Sequence, residues 1–101
     1  MATRVMAEKL NAQSIRGWLA SHQGWSRKGN ILTKEYRFTS FRDSIVFVNR
    51  VAGLADALDH HPDIDIRYDH VLITLSTHSA GGITEKDLSL AEQLDYATSA
   101  G

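Results

Sequence analysis

A chain of 101 residues can bury one hydrophobic core but not divide into two, so a single domain spanning residues 1–101 is expected. Eleven Lys and Arg against twelve Asp and Glu, scattered without a block, give a formal net charge of -1 and point away from direct nucleic-acid or membrane binding. The chain has no cysteine, which removes disulfides, thiolate metal sites and sulfur redox chemistry and fits a cytoplasmic protein. The opening residues MATRVMAEKLNAQ lack the apolar run of a signal peptide, and no later stretch is long and apolar enough to cross a bilayer.

From Ala7 to Ser21 the apolar residues Leu10, Ile15, Trp18 and Leu19 fall mostly on one helical face, and the pattern stops near Gly24. Gly29-Asn30 is a turn dipeptide inside Trp25 to Phe38, predicting a hairpin whose second strand carries Ile31, Leu32, Tyr36 and Phe38. Ser40 and Asp43 have capping-box spacing, and a long helix follows to about Asp59 with a wide apolar face from Phe41 to Leu58. Pro62 disfavours helical geometry at the residue before it, which puts His60 and His61 on the exit turn.

Ile64, Ile66 and Tyr68 alternate with charged residues, the pattern of a half-buried strand. Val71 to Thr77 returns as its partner, with Asp69-His70 as the expected tight turn, and strand parity would put His78 with Leu72, Thr74 and Ser76 unless the strand has ended. After Gly81-Gly82, Thr84 and Asp87 mark the start of a last helix through Leu88, Ala91 and Leu94. The order α-β-β-α-β-β-α predicts an α+β fold, a four-stranded antiparallel sheet with helices on one face, and its exposed strand edges invite pairing with another copy.

Four of the five histidines fall between His60 and His78. Three readings compete. His60 and His61 can serve the helix C-terminus, where cationic side chains meet the dipole favourably, with His70 a solvated turn residue. They can bind a metal, although adjacent histidines diverge and no His-x-x-x-His or HExxH pattern is present. Or they can transfer protons, since imidazole gives and takes a proton near neutrality and neighbouring imidazoles titrate as a group.

The run DALDHHPDIDIRYDHVLITLSTHSAGGITEKDLSLA closely resembles the pterin-4a-carbinolamine dehydratases, and GWSRKGNILTKEYRFTSFRDSIVFVNRVA is similar to the hairpin and helix that precede it in that family. The shared pattern falls on Asp56, His60, His61, Pro62, Asp63, Thr77, His78, Gly82 and Asp87. The resemblance implies a hydro-lyase that converts 4a-hydroxytetrahydrobiopterin into quinonoid dihydropterin and water in tetrahydrobiopterin recycling, with no metal and no organic cofactor. It implies catalytic roles for His60, His61 and His78, with His60 and His78 as the proton-transfer pair and His61 orienting the pterin. Asp56, Pro62 and Asp87 would contact or support the substrate, Asp56 by holding an imidazole tautomer.

Asp87 reads equally well as a helix cap; Asp59 reads as a solvated helix-end acid rather than a partner for a histidine, and Trp25 as hairpin core rather than a pterin-stacking platform. Ile64 replaces a frequent Trp, Asp56 a commoner Glu and Ala57 a frequent Lys, departures that bear on substrate fit and rate. The resemblance further implies a homodimer or homotetramer. Two alternatives stand beside catalysis on this substrate: a non-catalytic dimerisation cofactor of a transcription factor, and an enzyme of another pterin, such as one in molybdopterin metabolism.

Overall fold

Each hairpin delivers the chain into a helix, and the two hairpins join through their second strands. The computed structural model describes residues 8–100. Its elements are α1 (Ala12–Ala20), β1 (Ser26–Lys28), β2 (Ile31–Arg37), α2 (Phe41–Leu58), β3 (Asp63–Arg67), β4 (His70–Leu75), a 3₁₀ turn (His78–Ala80) and α3 (Glu85–Ala100). The strands form one antiparallel sheet in the order β1-β2-β4-β3, the predicted α+β architecture.

Local sequence chemistry sets the boundaries. Gly29 takes a left-handed φ of 59° at the first hairpin turn, as the Gly-Asn dipeptide requires. Ser40 caps α2, its hydroxyl accepting the Asp43 N–H at 3.1 Å, and the Asp43 carboxylate in turn accepts the Thr39 hydroxyl. α1 begins later than its apolar pattern suggests. Asn11 caps it by accepting the Ser14 N–H, so residues 8–11 precede the helix, and Ala7 lies outside the described residues.

The core forms where α2 and α3 cover β2 and β4. Leu32, Tyr36, Val71, Ile73 and Leu75 project from the sheet against Phe47 and Val51 of α2 and Leu90, Ala91 and Leu94 of α3. Truncating one of these large aliphatic side chains to Ala would cost about 2–5 kcal/mol. Asp95 fastens α3 to the sheet, accepting from Lys34, Tyr36 and the Trp25 indole at 2.7, 2.6 and 2.9 Å. Trp25 is accordingly core, as expected of an aromatic residue in the first hairpin.

Three sequence expectations need correction. β3 is exposed along its whole length rather than half-buried. The register pairs Ile64 with Ile73 and Ile66 with Val71, so its apolar residues do face the helical side, but β3 is the sheet edge and the helical cover centres on β2 and β4. The second tight turn is Tyr68-Asp69, one residue earlier than Asp69-His70, with Tyr68 at φ 52°. β4 also stops at Leu75, so the strand parity proposed for His78 does not reach it.

Candidate active site

Helix α2 ends in a way that aims its last residues. Asp59 adopts a left-handed conformation (φ 51°), its N–H bonds to the Asp56 carbonyl at 3.2 Å, and the His60 N–H reaches back to the Ala55 carbonyl at 3.0 Å. These paired bonds form a Schellman motif, usually built on Gly, with Asp tolerated because its short polar side chain suits the left-handed region. The chain therefore turns sharply at Asp59, and His60 leaves the helix axis toward the start of α3.

There His60 Nε2 meets Asp87 Oδ1 at 2.6 Å. The imidazole is 11 % exposed and the carboxylate 0 %. A buried carboxylate is costly unless its oxygens are occupied by donors. The Asp87 Oδ2 accepts the Thr77 hydroxyl at 2.8 Å and the Thr84 N–H at 2.9 Å. Asp87 thus caps α3 and holds His60 with one side chain. Thr84 adds a second cap by accepting the Lys86 N–H through its hydroxyl at 3.2 Å.

Thr77 is fixed by a bridge to Gly82, with N–H to O contacts of 2.8 and 3.3 Å in the two directions. Between these residues the chain makes the short 3₁₀ turn, closed by Gly81 at φ 73°. His78 opens that turn, is exposed, and makes no side-chain hydrogen bond among the described residues. His61 is paired elsewhere: its Nε2 lies 2.9 Å from Asp56 Oδ1, with both side chains largely open to solvent. The expected carboxylate–imidazole pairing of Asp56 is therefore with His61. Pro62 is partly buried between His61 and the start of β3.

His60 lines a cavity of about 230 Å³ together with Leu58, Glu85, Lys86 and Ser89. His61 and His78 are not among its walls. A larger cavity of about 370 Å³ lies beside the N-terminal half of α2, where Phe38, Asp43, Val46, Phe47 and Arg50 line it, and contains no histidine. Size alone favours that cavity, but His60 and its buried carboxylate give the smaller one the groups that can move a proton. Among the described residues no cluster of three or more His, Cys, Asp and Glu side chains is arranged to hold a metal ion.

Sequence spacing did not single out Glu85, Lys86 or Ser89, and it gave Thr77 no partner. The Thr84-x-x-Asp87 cap was readable, but the pairing of Asp87 with His60, twenty-seven positions away, exists only after folding.

The fold and this dyad define a small α+β protein with a buried carboxylate–imidazole pair beside a cavity. The chain belongs to the Pterin 4 alpha carbinolamine dehydratase family, whose pattern matches residues 8–97. It is 50% identical over 90 residues to a protein of Roseiflexus castenholzii named "Putative pterin-4-alpha-carbinolamine dehydratase", covering 89% of this chain and 97% of that one. A protein of the same name from Sulfurisphaera tokodaii is 43% identical over 88 residues, covering 87% of this chain and 95% of that one. The crystal structure of a transcriptional coactivator/pterin dehydratase from Brucella melitensis superposes with a TM-score of 0.85 at 30% identity, over 88% of this chain and 97% of that one. A pterin dehydratase-like protein described as a RuBisCO assembly factor in the alpha-carboxysome superposes with a TM-score of 0.59 at 26% identity, over 71% and 83% of the two chains.

Proposed function

We propose that this protein is a hydro-lyase that dehydrates 4a-hydroxytetrahydrobiopterin to quinonoid dihydropterin by acid–base chemistry on histidine, in the recycling of tetrahydrobiopterin. The observation that carries this reading is the His60–Asp87 pair at the cavity wall. Elimination breaks the C4a–O bond and a ring N–H bond. A base takes the nitrogen-bound proton, the electron pair of that bond becomes the second bond of C=N, and an acid protonates the departing hydroxyl to water. An imidazole held by a carboxylate suits one of these roles, because the charge it gains on protonation is stabilised beside it.

His61 is the next residue after His60, and His78 follows Thr77, itself bonded to Asp87, although neither imidazole lines the cavity. In this reading His78 completes the proton-transfer pair, and Asp56 orients His61 for contact with the pterin. The protein would act as a homodimer or homotetramer.

The test is direct. 4a-Hydroxytetrahydropterin generated in place by an aromatic amino-acid hydroxylase is followed by ultraviolet absorbance, with chelator present. Dehydration faster than the spontaneous reaction is expected, and no acceleration would overturn the reading.

A second reading, association with a protein partner, draws on the roles described for the two structural neighbours and on the exposure of Phe41 and Val46 along α2. It requires that replacing all three histidines leave association intact.

A further inference from the structure

Acid–base catalysis at an imidazole depends on which ring nitrogen carries the proton, and donors and acceptors around His60 fix that choice. An ionised carboxylate only accepts. Asp87 Oδ2 is occupied by the Thr77 hydroxyl and the Thr84 N–H, and Oδ1 faces His60 Nε2 at 2.6 Å. Nε2 must therefore bring the hydrogen. Among the described residues the other ring nitrogen, Nδ1, has no hydrogen-bond partner and no buried side-chain polar atom is left unpaired, so Nδ1 is accessible to solvent or ligand.

The hydroxyls behind Asp87 have one consistent direction. Thr77 gives its only hydroxyl hydrogen to Asp87 Oδ2, so in its 2.8 Å contact with Thr84 Oγ1 it must accept. Thr84 then donates to Thr77 and accepts from the Lys86 N–H. Four groups line up from an amide in the first turn of α3, through Thr84 and Thr77, to the carboxylate. Each donor in such a chain polarises the next.

We propose that Thr77 is a positioning residue of this site, whose hydroxyl completes the one-way chain that keeps Asp87 an acceptor and His60 in its Nε2–H form, with the Nδ1 lone pair free to take a proton. The proposal rests on the acid–base reading above and adds that His60 is the proton acceptor in the resting state. Thr77 does not line the cavity; it works through Asp87.

Removing the hydroxyl deprives Oδ2 of a donor and Thr84 of an acceptor at a buried position. The carboxylate can then turn, or take up a proton itself, and the Nε2–H form loses its advantage over Nδ1–H. Thr77→Val is the informative variant and Thr77→Ser its control.

Imidazole ¹H–¹⁵N spectra of the full chain report the tautomer whether or not the protein is active. Wild type and Thr77→Ser are expected to show a protonated Nε2 and an unprotonated Nδ1 at His60, and Thr77→Val a mixture. In the dehydratase assay Thr77→Val is expected to lose roughly 10-fold to 10²-fold in kcat with KM little changed, the scale on which outer groups tune a site. Thr77→Ser should restore most of that rate.

A wild-type His60 protonated at Nδ1, or a folded Thr77→Val with unchanged tautomer, would overturn the proposal. Should Thr77→Val fail to give a folded amide spectrum, Thr77→Cys, whose thiol is a weaker donor, replaces it under the same criteria. An inactive wild type that still shows the Thr77-dependent tautomer would sink the dehydratase reading and leave the hydrogen-bond chain standing.

Discussion

Ile64 and Ile73 sit directly opposite each other on adjacent strands and face the same side of the sheet, yet Ile73 is 0 % exposed and Ile64 36 %. One strand spacing separates core from surface, because β4 is interior and β3 is the edge. Beyond Ile64 the edge carries Ile66, and Tyr68 stacks on Phe41 with ring centroids 6.3 Å apart. An edge strand with apolar side chains and unpaired backbone groups is a template for another chain. Self-association through β3 is the expected outcome, giving a dimer or tetramer mass by light scattering at micromolar concentration. Ile66→Lys, which puts charge on that edge, should shift the population toward monomer, and a wild type that is already monomeric would remove the argument.

The histidines should separate in kinetics. His60→Ala and His78→Ala are each expected to reduce kcat by roughly 10²-fold or more if they transfer protons. His61→Ala, whose imidazole and Asp56 partner are both mostly solvated, should act chiefly on KM. Initial rates over a range of pterin concentration check all three. A His78 variant altered in KM alone would move that residue from proton transfer to binding.

Much of this fold was readable because local rules agreed with one another. Gly29-Asn30, Ser40-x-x-Asp43 and Thr84-x-x-Asp87 each mark an element boundary that the structure keeps. Properties that depend on distant parts of the chain are not legible in this way. β3 has the alternation of a half-buried strand, but burial depends on what the helices cover, and sequence period carries no information about that. Tyr68 took the left-handed turn position, which propensity would assign to Gly or Asn.

The site divides in the same way. His60, His61 and His78 stand out by clustering, whereas the bonds that tie Thr77 to Asp87 and to Thr84 have no signature in sequence. The importance of both threonines comes from lying within hydrogen-bond reach of one buried carboxylate.

Asp59 offers a test of how His60 is aimed. Its left-handed backbone is the one position in the α2 exit where Gly would relieve strain, so Asp59→Gly is expected to leave stability unchanged or raise it by up to about 1 kcal/mol. Asp59→Val places a β-branched side chain in that conformation and should cost about 1–2 kcal/mol. Urea denaturation measures both. If the Schellman turn positions His60, Asp59→Val should also lower dehydratase activity while Asp59→Gly retains it. Equal activity in the two variants would show that the turn does not set the imidazole.

Tyr36 supplies a pH-dependent prediction. Burial, reinforced by the hydrogen bond to Asp95 and by that carboxylate's negative charge, pushes its phenol well above the ordinary value of 10.0. The folded protein therefore keeps the proton at pH values where the unfolded chain releases it. The contribution of this group is fully present below pH 10 and declines as pH rises above it, by at most about 1.4 kcal/mol per pH unit. Tyr36→Phe should be less stable than wild type by about 1 kcal/mol at neutral pH, from the lost hydrogen bond. Having no phenol to ionise, it should lose less stability between pH 10 and 11, so the two urea midpoints converge there. A gap between wild type and Tyr36→Phe that stays constant up to pH 11 would show that the buried phenol does not couple folding to proton release.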